Sequence, residues 1–189
     1  MSTPSWLTTL LQTLELKTIV RRGWERKNIP TPETVAAHSW GVSFLVLNTL
    51  PAHYDKERAL TYAVLHDLGE SIVGDITPFD GISHAEKREQ ETQAMNVLCS
   101  ELPNGPELLA IWKEYERQDN AEAKFVRQLD RLDMALQAVY YGKAHEEDLL
   151  EFIESADSFI SAPQLRPLIE EIKGAYHRLC RLNPPPENE

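Results

Sequence analysis

The chain has 189 residues, 42% hydrophobic and 26% charged, which suits one globular domain with a sizeable core. Its formal net charge of −11 argues against broad binding to nucleic-acid polymers, which needs Lys and Arg to displace counterions from phosphates. A small phosphorylated ligand stays open, because one or two basic residues or a metal can hold a phosphate locally. The two cysteines, Cys99 and Cys180, have no metal-binding or redox spacing and read as small apolar residues of a reduced protein. The first residues lack a basic-then-apolar pattern, and the longest apolar run, 44–47, is far too short to span a bilayer. A cytoplasmic protein with no membrane partner is expected.

Nearly every segment has helical period. Leu7, Leu10, Leu11, Leu14 and Ile19 form a stripe at helix spacing. Thr31-Pro32-Glu33 has the chemistry of a helix start, and Pro51 ends that helix near Leu50. A third helix is expected over 56–73, ended by Gly74. Ser83 caps a fourth over 84–102, which stops at Pro103-Asn104-Gly105-Pro106. Further helices are expected over 107–117, 121–141, 146–159 and 164–182, and a disordered tail over 183–189. No strand is bracketed as a hairpin, and no repeat or apolar stripe demanding a partner stands out. One all-α domain over 1–182 is the reading.

His66-Asp67-Leu68-Gly69-Glu70 and the following Gly74-Asp75-Ile76-Thr77-Pro78 carry the densest chemistry. At about 100° per residue, Glu70 falls between His66 and Asp67, while Val64, Leu65, Leu68 and Ile72 fall opposite. An adjacent His-Asp pair offers a metal an imidazole nitrogen and a carboxylate oxygen from one element. A solvated polar face with an ordinary His is the bland alternative, and periodicity does not choose. Gly74 frees the chain to turn back and bring Asp75 over the same face. More ligands would have to come from elsewhere. His38 and Asp130 are candidates, yet the first also reads as a hydrogen-bonded core residue and the second as an ion-pair partner of Arg127 or Arg131. Spacing alone ranks them no higher than Asp119, Asp133 or His84.

Together these segments resemble the HD-domain phosphohydrolase superfamily, whose ligand pattern is His, then His-Asp, then a distant Asp. The resemblance is nearest to the HD-domain 5′-deoxynucleotidases. It runs through Glu33-Thr34-Val35-Ala36-Ala37-His38-Ser39-Trp40, the His66 and Gly74 segments, Trp112-Lys113-Glu114-Tyr115-Glu116, and the stretch from Glu122 to Met134 containing Asp130-Arg131-Leu132-Asp133. It covers roughly residues 14 to 141. The resemblance implies an all-helical HD fold and one divalent metal (Mn, Co, Fe, Zn or Mg) on His38, His66, Asp67 and Asp130. It implies Glu70 and Asp75 as catalytic acids beside the attacking water, and deoxyribonucleoside 5′-monophosphates as substrates of a homodimer. Arg22, taken over Arg21, matches a phosphate-holding Arg, although Gly23 separates it from Trp24. Trp24 matches a ring that crowds the sugar 2′ position, and Lys87, at a Glu-Lys position common in relatives, is expected to reach the phosphate. Ala37 departs from the pattern, since relatives usually carry an acid before the first ligand His.

Other readings are a nucleotide diphosphatase, a cyclic-nucleotide phosphodiesterase, a di-iron oxygenase, or a nucleotide-binding regulatory module without turnover. Two-metal members need extra histidines between the His-Asp pair and the last Asp, where this chain has only His84. A degenerate module should lose at least one of His38, His66, Asp67, Glu70, Asp75 or Asp130. All six are present.

Overall fold

Thr34, Asp55, Ser83 and Asn120 each place a side-chain oxygen on the backbone N–H three residues later, and each opens a helix. The computed structural model describes residues 5–145 and 147–180. Ten α-helices follow one another among them: α1 Ser5–Thr13, α2 Arg22–Arg26, α3 Val35–Thr49, α4 Lys56–Leu65, α5 Glu70–Val73, α6 His84–Ser100, α7 Gly105–Arg117, α8 Ala121–Gly142, α9 Leu150–Phe159 and α10 Arg166–Cys180. Short 3₁₀ turns cover Leu14–Lys17 and Pro78–Asp80. One isolated bridge joins Val20 to Thr34, and no β-strand occurs among the described residues. The architecture is all-α. The expected tail at 183–189 and the first residue of the helix expected over 146–159 lie outside the described residues, as does the side chain of Cys180. Cys99 is a buried free thiol.

The helix α8 forms the spine, with α3, α4, α7, α9 and α10 packed on it. Leu129, Leu132, Ala135 and Ala138 on α8 meet Val42 and Val46 of α3 and Tyr62 of α4 in one continuous core. No described helix is long and apolar enough to cross a membrane. A close approach joins the end of α6 to the start of α7: a Cβ on Gly105 would lie 1.7 Å from the Cys99 carbonyl oxygen. Gly105→Ala should therefore force the backbone apart. A loss of about 1–3 kcal/mol in urea unfolding is expected.

Three expectations change. The start of α3 is Thr34, not Thr31, because the chain first pairs Val20 with Thr34 in extended form. Leu7, Leu10, Leu11 and Leu14 point outward, and Gln12 anchors α1 by donating to the Ser71 carbonyl at 2.6 Å. The helix expected over 56–73 is interrupted at 66–69. Hydrogen bonds there run three residues back, from Leu68 to Leu65 and from Glu70 to Asp67.

The expected faces are kept only in part: Leu65 is buried and Leu68 packs on the core as expected. Glu70 is buried, whereas Val64 and Ile72 are exposed. An apolar row also lies on the outside of α3: Trp40, Phe44 and Leu47 are 69%, 53% and 54% exposed, with the first two rings stacked at 5.7 Å. Because α3 is apolar on both sides, its inner row of Val35, Val42 and Val46 hides the outer one from a periodicity reading.

Candidate active site

His38 sits on the inner face of α3 and is completely buried. His66 follows α4 directly, and Asp67 opens the tightened turn. Their metal-binding atoms converge: the two Nε2 atoms are 3.3 Å apart, and Asp67 Oδ2 is 3.2 Å from His66 Nε2 and 3.8 Å from His38 Nε2. From α8, Asp130 Oδ1 approaches His38 Nε2 to 3.2 Å. The structure thus brings together the four residues His38, His66, Asp67 and Asp130.

The hydrogen bonds on the far sides of the rings define what this centre needs. His66 Nδ1 lies 2.9 Å from the Ala63 carbonyl, which only accepts, so that nitrogen donates. His38 Nδ1 donates to Asp133 Oδ2 at 2.8 Å. In their neutral form both rings would turn Nε2 lone pairs toward each other and toward two carboxylates. Such a set of acceptors calls for positive charge between them, and imidazoles fixed through Nδ1 beside carboxylates are the donor set of a divalent metal. Without a cation there, a proton on His38 supplies that positive charge. Burial and Arg21 oppose a charged His38 ring, yet its hydrogen bonds to Asp130 and Asp133 outweigh them and push it up to about 10. Despite burial, the neighbouring His66, Arg21 and His38 hold Asp67 well below the usual carboxylate range, and His38 does the same to Asp130. The residues present fit a divalent cation.

Glu70 lies one tightened turn beyond Asp67. Burial pushes its carboxyl well above the usual range, helped by Asp67 and Asp75 and opposed by Arg21 and Lys87. Its Oε2 is buried without a hydrogen-bond partner among the described residues. A buried carboxyl with a raised proton affinity beside a candidate metal centre is suited to handling protons. Gly74, at φ 78°, reverses the chain and brings Asp75 back. Asp75 Oδ2 accepts the Arg22 backbone N–H at 2.7 Å, and Oδ1 lies 3.8 Å from Arg21 Nη1.

The basic and aromatic residues are placed differently from the expectation. The Arg22 side chain turns out to solvent and pairs with Asp80 at 2.8 Å. Arg21 points inward instead, 3.4 Å from Asp67, held charged against burial by Asp67, Asp75 and Glu70. The backbone is extended at Arg21, so consecutive side chains face opposite ways. Trp24 fills the core: its ring packs on Phe152 at 4.3 Å and Tyr141 at 5.3 Å, and its N–H donates to Glu33 at 2.9 Å. No open indole face is left there to crowd a sugar. Lys87 donates to the Ile76 carbonyl at 2.8 Å and stands 3.7 Å from Glu70 and 3.4 Å from Glu91. Its ammonium is thus tied to the loop and the buried acid.

An HD domain family model matches residues 14–172. A Bos taurus protein named 5′-deoxynucleotidase HDDC2 is 38% identical over 163 residues, covering 84% of this chain and 80% of that one. A Schizosaccharomyces pombe protein named 5′-deoxynucleotidase hdd1 is 37% identical over 145 residues, 72% of this chain and 73% of the other. Among solved structures, a conserved hypothetical protein from Pyrococcus furiosus aligns with a TM-score of 0.75 at 32% identity, covering 89% of this chain and 99% of its own. The matched stretch contains His38, the His66-Asp67 pair and Asp130, and the chain belongs to the HD domain family.

Proposed function

We propose that the chain is a metal-dependent 5′-deoxynucleotidase, hydrolysing deoxyribonucleoside 5′-monophosphates to deoxynucleoside and phosphate. The observation that carries this reading is the convergence of two Nε2 lone pairs and two carboxylates beside the buried Glu70. The names of the relatives supply the substrate class. His38, His66, Asp67 and Asp130 are the proposed ligands of one divalent ion, with Mn, Co, Fe, Zn and Mg all open. When bound, such an ion polarises a phosphoryl oxygen and makes water more acidic.

The remaining steps belong to the protein. The oxygen of water forms a bond to phosphorus, the bond to the 5′-oxygen breaks, one proton leaves the water and one reaches the departing oxygen. Glu70 and Asp75 divide these transfers. The raised proton affinity and unpartnered Oε2 of Glu70 suit it to carry a proton in either direction. Arg21 holds the phosphate, replacing Arg22 in that role, and Lys87 acts through Glu70 and the Ile76 loop. Arg21→Ala is expected to lower kcat/KM by roughly 10- to 150-fold, the range for a charged hydrogen bond. Arg22→Ala should stay near wild type, since its side chain faces Asp80.

The reading includes a cytoplasmic homodimer. The buried free thiol of Cys99 supports a reducing compartment, and the exposed row of Trp40, Phe44 and Leu47 supports pairing. Phosphate release from deoxy- and ribonucleoside 5′-monophosphates, with chromatography of the nucleotide products formed from deoxynucleoside triphosphates and cyclic nucleotides, each with Mn, Co, Mg and Zn, tests the activity. Turnover of the deoxynucleoside monophosphates is expected. Turnover confined to triphosphates or cyclic nucleotides would replace it with another HD-type phosphohydrolase, and none at all with a binding module.

A further inference from the structure

Asp133 lies one turn beyond Asp130 on α8, in a place that the ligand set does not use. Its Oδ2 is 2.8 Å from Nδ1 of His38, the nitrogen facing away from the metal centre. The carboxylate is pressed against the α3 backbone at Gly41. A Cβ on Gly41 would lie 2.2 Å from Asp133 Oδ1 and 2.9 Å from its Cγ. Three residues after His38, a side chain as small as Ala would occupy the space this carboxylate fills.

The two histidines are therefore fixed in different ways. His66 is held through Nδ1 by the Ala63 carbonyl, a backbone group that no substitution removes. His38 depends on a side chain. The other carboxylate nearby, Glu33, already accepts the Trp24 indole N–H at 2.9 Å.

From this arrangement we infer that Asp133 is the positioning residue of the metal centre, and that Gly41 is the residue that admits it. Asp133 holds the proton of His38 on Nδ1, so that the Nε2 lone pair faces His66 and Asp130, and it fixes the plane of the ring. The inference rests on the metal-centre reading above. It goes further by making two residues that touch neither metal nor substrate determinants of metal affinity. An orienting carboxylate on a ligand histidine typically contributes about 10- to 100-fold in affinity.

The test is a titration of the full-length metal-free protein with Co²⁺, followed by its visible absorption, for wild type, Asp133→Asn and Gly41→Ala. Both variants are expected to bind Co²⁺ about 10- to 100-fold more weakly, with an altered absorption band. Gly41→Ala does so without changing any ionisable group. A merely structural role would lower the unfolding temperature and leave the Co²⁺ affinity of the folded protein unchanged. Variants binding within twofold of wild type overturn the inference, whereas a wild type that takes up no Co²⁺ removes the metal-centre reading itself. Long-range ¹H–¹⁵N spectra of the Zn²⁺-loaded wild type supply a measurement that needs no variant. They should show the His38 proton on Nδ1, and a proton on Nε2 would also overturn the assignment.

Discussion

Asp130→Ala is expected to strip the protein of its metal. Occupancy should fall from about one divalent ion per chain to near zero, and phosphate release should fall with it. The reason lies in the charge balance around His38. Asp130 Oδ1 is 3.2 Å from Nε2, and its carboxylate is kept ionised by that ring. Removing one member of a buried charged set costs about 3–5 kcal/mol, roughly a hundred- to several-thousand-fold in affinity. The bland alternative, a helical ion pair with Arg127 or Arg131, is not made as a direct contact, although the field of Arg131 still helps keep Asp130 ionised. Arg127 is engaged by Glu116 at 3.0 Å, and Arg131 lies over the Phe159 ring. Metal analysis of the purified variant, paired with phosphate release, checks the result; full metal and full activity would reject Asp130 as a ligand.

Glu70→Gln should behave in the opposite way. It is expected to keep the metal and lose about 10²- to 10⁴-fold in kcat, the usual contribution of a general acid or base. Gln preserves shape and removes the capacity to hold a proton at Oε2. Lys87 stands 3.7 Å from the carboxyl, so a neutral amide leaves that ammonium paired with Glu91 and the Ile76 carbonyl. The site should then remain assembled. Single-turnover assays at saturating substrate separate a lost chemical step from weakened binding. A variant that retains wild-type kcat would move the proton transfer to Asp75.

The four residues that converge were legible in the sequence as proposed ligands, because a His-Asp pair, an upstream His and a distant Asp form an ordered pattern. Which arginine faces inward was not. Residues 21 and 22 are chemically identical, and only the extended backbone at Arg21 decides which one enters the site. Trp24 shows the same limit. An indole beside arginines fits a substrate wall as well as a core, and the packing of Tyr141 and Phe152 decides for the core. Asp133 was visible only as one acid among several. The signal that marks it is spatial: a carboxylate within hydrogen-bonding reach of His38 and pressed against the backbone at Gly41. The outward row on α1 escaped for a related reason, since a helical stripe reports one-sidedness and says nothing about which side meets protein.

The tightened turn at 66–69 bears on how this protein tolerates insertions and deletions. In 3₁₀ geometry residues three apart eclipse, so Asp67 and Glu70 stack along one line instead of fanning out. A proposed metal ligand and a proposed proton carrier are thereby indexed by backbone pitch. Adding or deleting one residue between them would rotate Glu70 by about 120° and put Gly69 or Ser71 in its place, neither of which carries a carboxyl. A library of single-residue insertions should show this as a sharp interval of intolerance within 67–70. The exposed turn at 78–81 should accept the same edits far more readily.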